Sequence, residues 1–449
     1  MIENLKTVTL WLLIILSIIL TYLIWTYQAD YDMLLQPDYF QSEIIGEERT
    51  INQLLQPEQI ILHEEGSSFW IPPSNNSYKE IIDNVKGIQL DRLYTGAESS
   101  KSMIFQVDGL EIIFPKNFKQ EWVYSMLNID SEVSLSMETI DRIILFTNVT
   151  SSSEVSIRII SADQEKFYQG NTGMSVNQLQ ALYRQYGEPF EVEPIYFSRE
   201  PNPFERRYVL KEEATLRGYS HLSESLSVIA FRQTLLNDPE FVKHYSQGNH
   251  ESAYTDGNRI MNIVENETIL RYINPVSTNH RDTVERSILD ASVEFINGHS
   301  GWTDQYRLTS WFEGALNDHA VFRMNVDGLS ILGSNLNKEE FYTIQVSRTG
   351  NQISEYVRPL FEAEAEAFNI TNKTLAPYSE IQEYLETSEL FDSELIEDAQ
   401  VGYYMRKQTP SLVIYDPSWF VLERGEWRRV EKPSPSGSLE REVDQSGLE

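Results

Sequence analysis

An enzyme needs a nucleophile with its base, a metal cluster, or paired acids in a pocket, and this chain offers little toward any of them. Its seven histidines stand at 63, 221, 244, 250, 280, 299 and 319, and no pair has the HExxH spacing that would put two imidazoles on one helix face. His244 and His250, separated by YSQGN, are the closest pair and suit a surface loop. No Ser-x-x-Lys, G-x-S-x-G, G-x-G-x-x-G or P-loop string occurs. Cysteine is absent, which removes thiol nucleophiles, zinc-thiolate sites and disulfides. With 68 Asp and Glu residues, any two acids could be paired on paper as a glycosidase couple. His63-Glu64-Glu65 and Glu362-Ala363-Glu364-Ala365-Glu366 read as solvated faces. No calcium loop of the D-x-[DN]-x-[DN]-G type is present. The sequence therefore assigns no catalytic, cofactor-binding or metal-binding residue and leads us to expect no cofactor.

The more informative polar residues lie inside an apolar segment. Between Lys6 and Asp30 the chain runs for 23 residues without a charge. At about 1.5 Å per residue, the stretch from Val8 to Trp25 makes roughly 27 Å of helix, close to the ~30 Å hydrocarbon core of a bilayer. Residues 7–27 are expected to form a transmembrane anchor, with Trp11, Trp25 and Tyr27 settling near the headgroups. The following TYQAD lacks a small-x-small cleavage site, so the anchor is expected to stay attached. Thr9, Leu13, Ser17 and Thr21 fall every four residues on one face, and Ser17-xxx-Thr21 is a small-xxx-small pair that lets another helix approach closely. This stripe is the candidate partner surface. The competing reading is that each hydroxyl bonds to its own helix four residues back.

Lys6 and the amino terminus precede this helix, whereas no Lys or Arg occurs from Gln28 to Glu48. Basic charge stays inside, so residues 1–6 are expected in the cytoplasm and the rest outside the cell. A net charge of −32 argues against nucleic acid as a partner and against lying flat on anionic lipid. The lipid partner is the bilayer crossed by the helix.

The exterior chain reads as α+β, with antiparallel sheets and packed helices, because its strands and helices come in short mixed groups without βαβ alternation. Three parts are expected, 28–150 with a stalk to about residue 50, 151–280, and 281–432, before a Pro/Ser/Gly-rich disordered tail at 433–449. Strand candidates are Gln59–Leu62, Met103–Val107, Leu110–Phe114, Ile143–Thr147 and Ser156–Ile160. Helix candidates are Ser223–Leu236, with Leu226, Ile229, Ala230 and Gln233 on one face, then Glu240–Tyr245, Thr283–Ile296 and Pro377–Leu385. Hairpins are expected around Glu265-Asn266-Glu267 and Glu423-Arg424-Gly425-Glu426, with tight Asp-Gly turns at 108, 256 and 327. The first and last of these share V-D-G-L-x-I, which reads either as a trace of duplicated modules or as the ordinary solution for a tight hairpin between apolar strands.

Several strings together resemble a known family. They are Asn4-Leu5-Lys6-Thr7 before the apolar run, Leu20-Thr21, and Trp25-Thr26-Tyr27-Gln28 before Asp30-Tyr31-Asp32. Further on come Tyr254-Thr255-Asp256-Gly257, Arg271-Tyr272-Ile273-Asn274-Pro275, Val401-Gly402-Tyr403 and Asp416-Pro417-Ser418-Trp419. The pattern resembles the YycH (WalH) family of low-GC Gram-positive bacteria, with Ala29 where the family would have proline. The resemblance implies a non-enzymatic, single-pass membrane protein with a multi-domain α+β exterior whose later part is similar to the YycI exterior. It implies that the chain acts with a YycI-like protein on the sensor histidine kinase WalK (YycG), tuning signalling to WalR and cell-wall metabolism. Whether regulation activates or inhibits is not implied. An anchored extracytoplasmic wall hydrolase or peptidase, and a solute or ion sensor, are the alternatives from other classes.

Overall fold

The computed structural model describes residues 2–26, 45–73, 77–86, 88, 90–95, 104–116, 118–127, 129, 135–147, 154–184, 189–197, 202–236, 242–248, 251–276, 286–314, 316–409 and 411–431. These fall into two compact units, Met1–Glu43 and Ile44–Glu449. Tyr27, the stalk as far as residue 44, and the tail 433–449 lie outside the described residues. Among the described residues, the first unit holds the helix α1 (Ile2–Thr26). The second is α+β and builds almost entirely antiparallel sheet, as the mixed short elements predict.

Among the described residues, nine strands form its first sheet: β1 (Gln59–Glu64), β2 (Ser67–Trp70), β3 (Leu90–Thr95), β4 (Gly109–Ile113), β5 (Arg142–Thr147), β6 (Glu154–Ser161), β7 (Lys166–Ser175), β8 (Phe190–Ile195) and β9 (Arg207–Leu210). Their order is β3-β7-β6-β5-β4-β1-β2-β8-β9, every neighbour antiparallel. The middle strands lack polar alternation because both of their faces are covered. Ile143 and Leu145 of β5 join the main core, while Ile144 and Phe146 enter a smaller core with Ile104, Ile160, Phe167 and Phe204 on the opposite face. The main core is closed over this sheet by α3 (Ser77–Val85), α4 (Gln120–Leu127) and α5 (Val176–Arg184), through side chains such as Ile81, Trp122 and Leu179.

The second sheet takes fifteen strands between Ala214 and Val430, including β10 (Ala214–Ser225), β15 (Tyr306–Glu313), β16 (Asn317–Val326), β17 (Leu329–Ser334), β22 (Ile396–Thr409), β23 (Leu412–Glu423) and β24 (Glu426–Val430). Its strands are antiparallel except for β17 beside β22. Helices α6 (Val228–Leu235), α7 (Ile288–Gly298) and α8 (Tyr378–Thr387) add Phe231, Ile296 and Ile381 to the main core. Strands on either side of residue 150 pair with one another, as β5 with β6, and strands on either side of 280 share the second sheet. The hydrogen-bonded layers change over at residues 211–213.

Turn chemistry is borne out where the chain reverses. Asp327 (φ 48°) and Gly328 (φ 81°) make the two-residue link from β16 to β17, and Arg424 (φ 54°) with Gly425 (φ 79°) makes the one from β23 to β24. Both are left-handed pairs that match the twist of a hairpin. Asp108-Gly109 is different. Residues 104–107 form turns and bends, not a strand, so the expected hairpin is absent. Glycine is needed there for another reason: a Cβ on Gly109 would lie 2.0 Å from the Leu145 carbonyl oxygen of β5. The repeated V-D-G-L-x-I string thus occupies two unlike environments.

Two helix readings also need correction. Residues 223–225 end β10, and α6 begins only after Ser227, whose hydroxyl accepts the Ala230 amide hydrogen. The buried face is Ala230, Phe231 and Leu235, while Ile229 is 58% exposed. Tyr245 lies in a strand, Lys243–Gly248, where a helix was expected. Helix α7 starts at Ile288 behind its Ser287 cap, and α8 follows Pro377 as predicted. The described end of the expected stalk is not a free linker. Gly46 and Glu47 amides donate to the carbonyls of Ser300 and Trp302 at 2.8 and 2.9 Å, and the Trp302 amide returns a 2.9 Å bond to Glu47. Trp302 is 1% exposed, and its indole nitrogen donates to Asn297 of α7 at 2.8 Å.

The close β4–β5 approach predicts that Gly109→Ala lowers unfolding free energy by about 1–3 kcal/mol in urea titration, since backbone must shift to admit the methyl group. Gly173→Ala, where a Cβ meets nothing within 4 Å, should change it by no more than about 0.5 kcal/mol.

Candidate functional site

The sequence-predicted stripe lies on α1. Leu13, Ser17 and Thr21 are all exposed on the isolated helix, Leu13 at 56%. The Thr21 hydroxyl donates to the Ser17 carbonyl at 2.8 Å, so this hydroxyl is satisfied within its own helix. Trp11 is 62% exposed. Thr9 and Trp25 belong to the helix backbone, but their side chains lie outside the described residues. Side chains of α1 are described from Leu10 to Tyr22, and among described residues no helix is long and apolar enough to cross a membrane.

The second unit holds a charged site that sequence reasoning missed. Glu111 sits mid-strand in β4 with no exposure. One carboxylate oxygen accepts from Arg142 Nη1 at 2.6 Å. The other accepts from Arg206 Nη2 at 2.8 Å, Tyr208 Oη at 2.7 Å and His63 Nε2 at 2.9 Å. His63 therefore carries its proton on Nε2, and its Nδ1 meets Ser68 Oγ at 2.9 Å. Arg142 spends its remaining donors on the carbonyls of Phe204 and Arg206. Burial alone would raise the Glu111 pKa, but Arg206 and Arg142 outweigh it and hold the carboxyl well below its ordinary value. Burial and the adjacent carboxylate push the Tyr208 phenol up, so it stays a donor.

This cluster is sealed, which suits holding a sheet together better than turning over a substrate. His63 is thus a core residue at 6% exposure, whereas Glu64 and Glu65 are solvated as expected. The signal available in the sequence was a charge at an otherwise apolar strand position, in Leu110-Glu111-Ile112 and in Arg142-Ile143-Ile144. Of the closest histidine pair, His244 stacks on Tyr254 at 4.6 Å between ring centroids, and His250 lies outside the described residues. Among the described residues no three His, Asp or Glu side chains converge as a metal site.

A second feature opens between the two sheets. It is a polar cleft of about 800 Å³, reached by Glu58, Lys116 and Arg207 from the first sheet's side and by Arg307, Ser330 and Asp398 from the other. Arg207 spans it, with Glu58 at 3.2 Å and Asp398 at 3.4 Å.

Breaking the buried cluster has a defined cost. Glu111→Gln leaves two buried guanidinium groups without their counter-charge and should lower stability by about 3–5 kcal/mol in urea titration. Because the folded-state pKa of Glu111 is depressed, its contribution is complete above the unfolded value near 4.5 and is lost as pH falls toward the lower folded value. The fall in the wild-type urea midpoint below about pH 4.5 should accordingly be shallower in Glu111→Gln.

Comparison with known proteins places this architecture. Residues 3–185 match the family model described as the YycH protein N-terminal domain, and residues 205–435 match the YycH protein C-terminal domain. Over 471 aligned residues the chain is 21% identical to the Bacillus subtilis (strain 168) protein named two-component system WalR/WalK regulatory protein YycH, covering 100% of this chain and 99% of that one. The crystal structure of YycH from Bacillus subtilis superposes with a TM-score of 0.70 at 16% identity, over 87% of this chain and 99% of that one. The N-terminal match ends before β8 and the C-terminal match begins just before β9, so together they span most of both sheets, and the chain belongs to the YycH family.

Proposed function

We propose that this chain is a non-enzymatic, membrane-anchored regulator that binds a WalK-like sensor kinase together with a YycI-like protein and tunes signalling that controls cell-wall metabolism. The observation that carries the reading is the end-to-end match to the Bacillus subtilis protein named a WalR/WalK regulatory protein. The anchor is supported by α1, whose Leu and Ile side chains from 10 to 20 are exposed around the helix. A helix apolar on all sides needs hydrocarbon or partner helices around it. In this reading residues 1–6 are cytoplasmic, 7–27 span the bilayer with Trp11, Trp25 and Tyr27 at its interfaces, and the remainder is extracytoplasmic, with a YycI-like module in its later part.

In this reading regulation acts sideways, through the helix, the exterior, or both. Shifting a two-state kinase from 1:99 to 99:1 requires about 5.5 kcal/mol of differential binding. Polar contacts between membrane helices contribute roughly 0.6–2 kcal/mol each. The helix supplies part of the shift, and an exterior interface the remainder. Since the Thr21 hydroxyl is already bonded within α1, the Thr9, Leu13, Ser17 and Thr21 face is proposed to work by close packing more than by hydrogen bonds across helices.

Replacing residues 7–27 by an unrelated membrane helix should reduce co-purification of the kinase several-fold and alter target-gene output. Ser17→Leu, which blocks close approach, should act in the same direction, and Ser17→Ala should behave as wild type. Unchanged association and output in both the replacement and Ser17→Leu would rule out the helix contact.

A further inference from the structure

Arg307 of β15 and Arg323 of β16 stand directly opposite one another in the antiparallel register. Opposed residues share a face, and like charges there destabilise the strand pair. Both side chains are buried, at 4% and 7% exposure. Arg323 is compensated, with Nη2 on Glu339 and Nη1 donating to the Ile331 carbonyl at 3.3 Å. Arg307 is compensated far less. Its guanidinium makes a single long contact, Nη1 to the Pro57 carbonyl at 3.5 Å, its Nε has no partner, and the carboxylate that acts on it through charge, Glu58, forms its ion pair with Arg207 instead, at 3.2 Å. Close by in the fold, Ser330 Oγ is a second unpartnered polar atom, in a side chain 3% exposed.

Both orphaned groups line the cleft between the sheets. That cleft carries six Lys and Arg against five Asp and Glu, close to balance once Arg428 is paired with Glu423 outside it, within a chain of net charge −32. Several of its carboxylates are already engaged, Glu58 and Asp398 by Arg207 and Glu339 by Arg323. An under-compensated buried guanidinium is unfavourable, and its planar fork of donors matches an oxyanion. A volume of about 800 Å³ lies within the range of small-molecule sites, larger than one inorganic ion fills.

We propose that this cleft is an oxyanion-binding site, in which Arg307, with Ser330 as a neutral donor and Arg323 adding positive potential, holds a phosphate or carboxylate group of a small polar ligand. The ligand supplies the close counter-charge that Arg307 lacks, and because Lys116 and Arg207 reach the same space from the first sheet's side, binding ties the two sheets together.

The test uses the full-length chain in detergent micelles, titrated separately with inorganic phosphate and with succinate at ionic strength held constant by chloride. Saturable heat by calorimetry and a saturable rise in melting temperature are expected for at least one of them. A response to phosphate alone assigns a phosphoryl ligand, and one to succinate alone a carboxylate. Arg307→Met should weaken binding at least ten-fold while melting, without anion, no lower than wild type, because it removes an under-compensated buried charge. Ser330→Ala, a smaller change to the fold, should weaken it several-fold. Arg286→Gln, an exposed arginine outside the cleft, should bind as wild type does. Absence of a saturable response to either anion, equal binding by Arg307→Met, or an anion-free Arg307→Met that melts well below wild type would each overturn the proposal.

Discussion

A carboxylate walled off from water stays ionised only where cations and donors replace its lost hydration closely and from several sides. Glu111 meets that condition with groups from β1, β5, β9 and the turn before it, some of them 95 or more residues away in the chain. The requirement has a geometric consequence. In the sheet order, β9 lies four strands from β4, which in a flat sheet is about 19 Å. Tyr208 and Arg206 nevertheless reach the Glu111 carboxylate at 2.7 and 2.8 Å, so the sheet curls and brings this edge back over its own face. That curl buries the small second core, Phe204 included, and it explains why β4 and β5 are buried on both sides.

The other face of the sheet is covered by helices and by the second half of the chain. Trp302 clamps Gly46 and Glu47 at one point, and Trp122 of α4 meets Trp311 of β15 edge-on at 4.9 Å, under Lys119, which pairs with Glu313 at 2.7 Å. Aromatic anchors of this kind combine a large apolar area with directional contacts. Between such anchored points a polar cleft lined by Glu58, Lys116, Arg207, Arg307 and Asp398 separates part of the two halves. The interface is thus divided, with apolar contacts setting the placement of the sheets and polar contacts leaving a space between them.

Local chemistry made much of the fold legible. The hairpins around 265–267, 327–328 and 424–425 follow from residues that tolerate positive φ between apolar runs. Four of the five strand candidates are found, because their apolar character matches a buried sheet. Asp108-Gly109 misled because the same dipeptide serves a close backbone approach, and that approach depends on β5, more than thirty residues further on. The stretch 223–236 misled because helical spacing persists across a boundary where β10, paired to distant strands, takes the first residues. Pairing over more than a hundred residues leaves no mark in a window of fifteen.

By itself, the sequence determined the long apolar stretch, the absence of thiol chemistry, most of the turn positions and the α+β class, since each depends on residue type and short spacing. The family strings, spread along the chain, pointed to the same family as the full-length comparisons. Only the tertiary structure decided which charges are buried. His63 and Arg206 look no different in the sequence from the many solvated acids and bases around them, and Glu111 and Arg142 are marked only by their apolar neighbours, which do not say what partners they meet. Their burial follows from the sheet curling on itself. Likewise Arg307 and Arg323 are sixteen residues apart in the chain, and only the β15–β16 register sets them face to face. Charge is a property of the residue, but its cost depends on the partners that packing brings within a few ångströms.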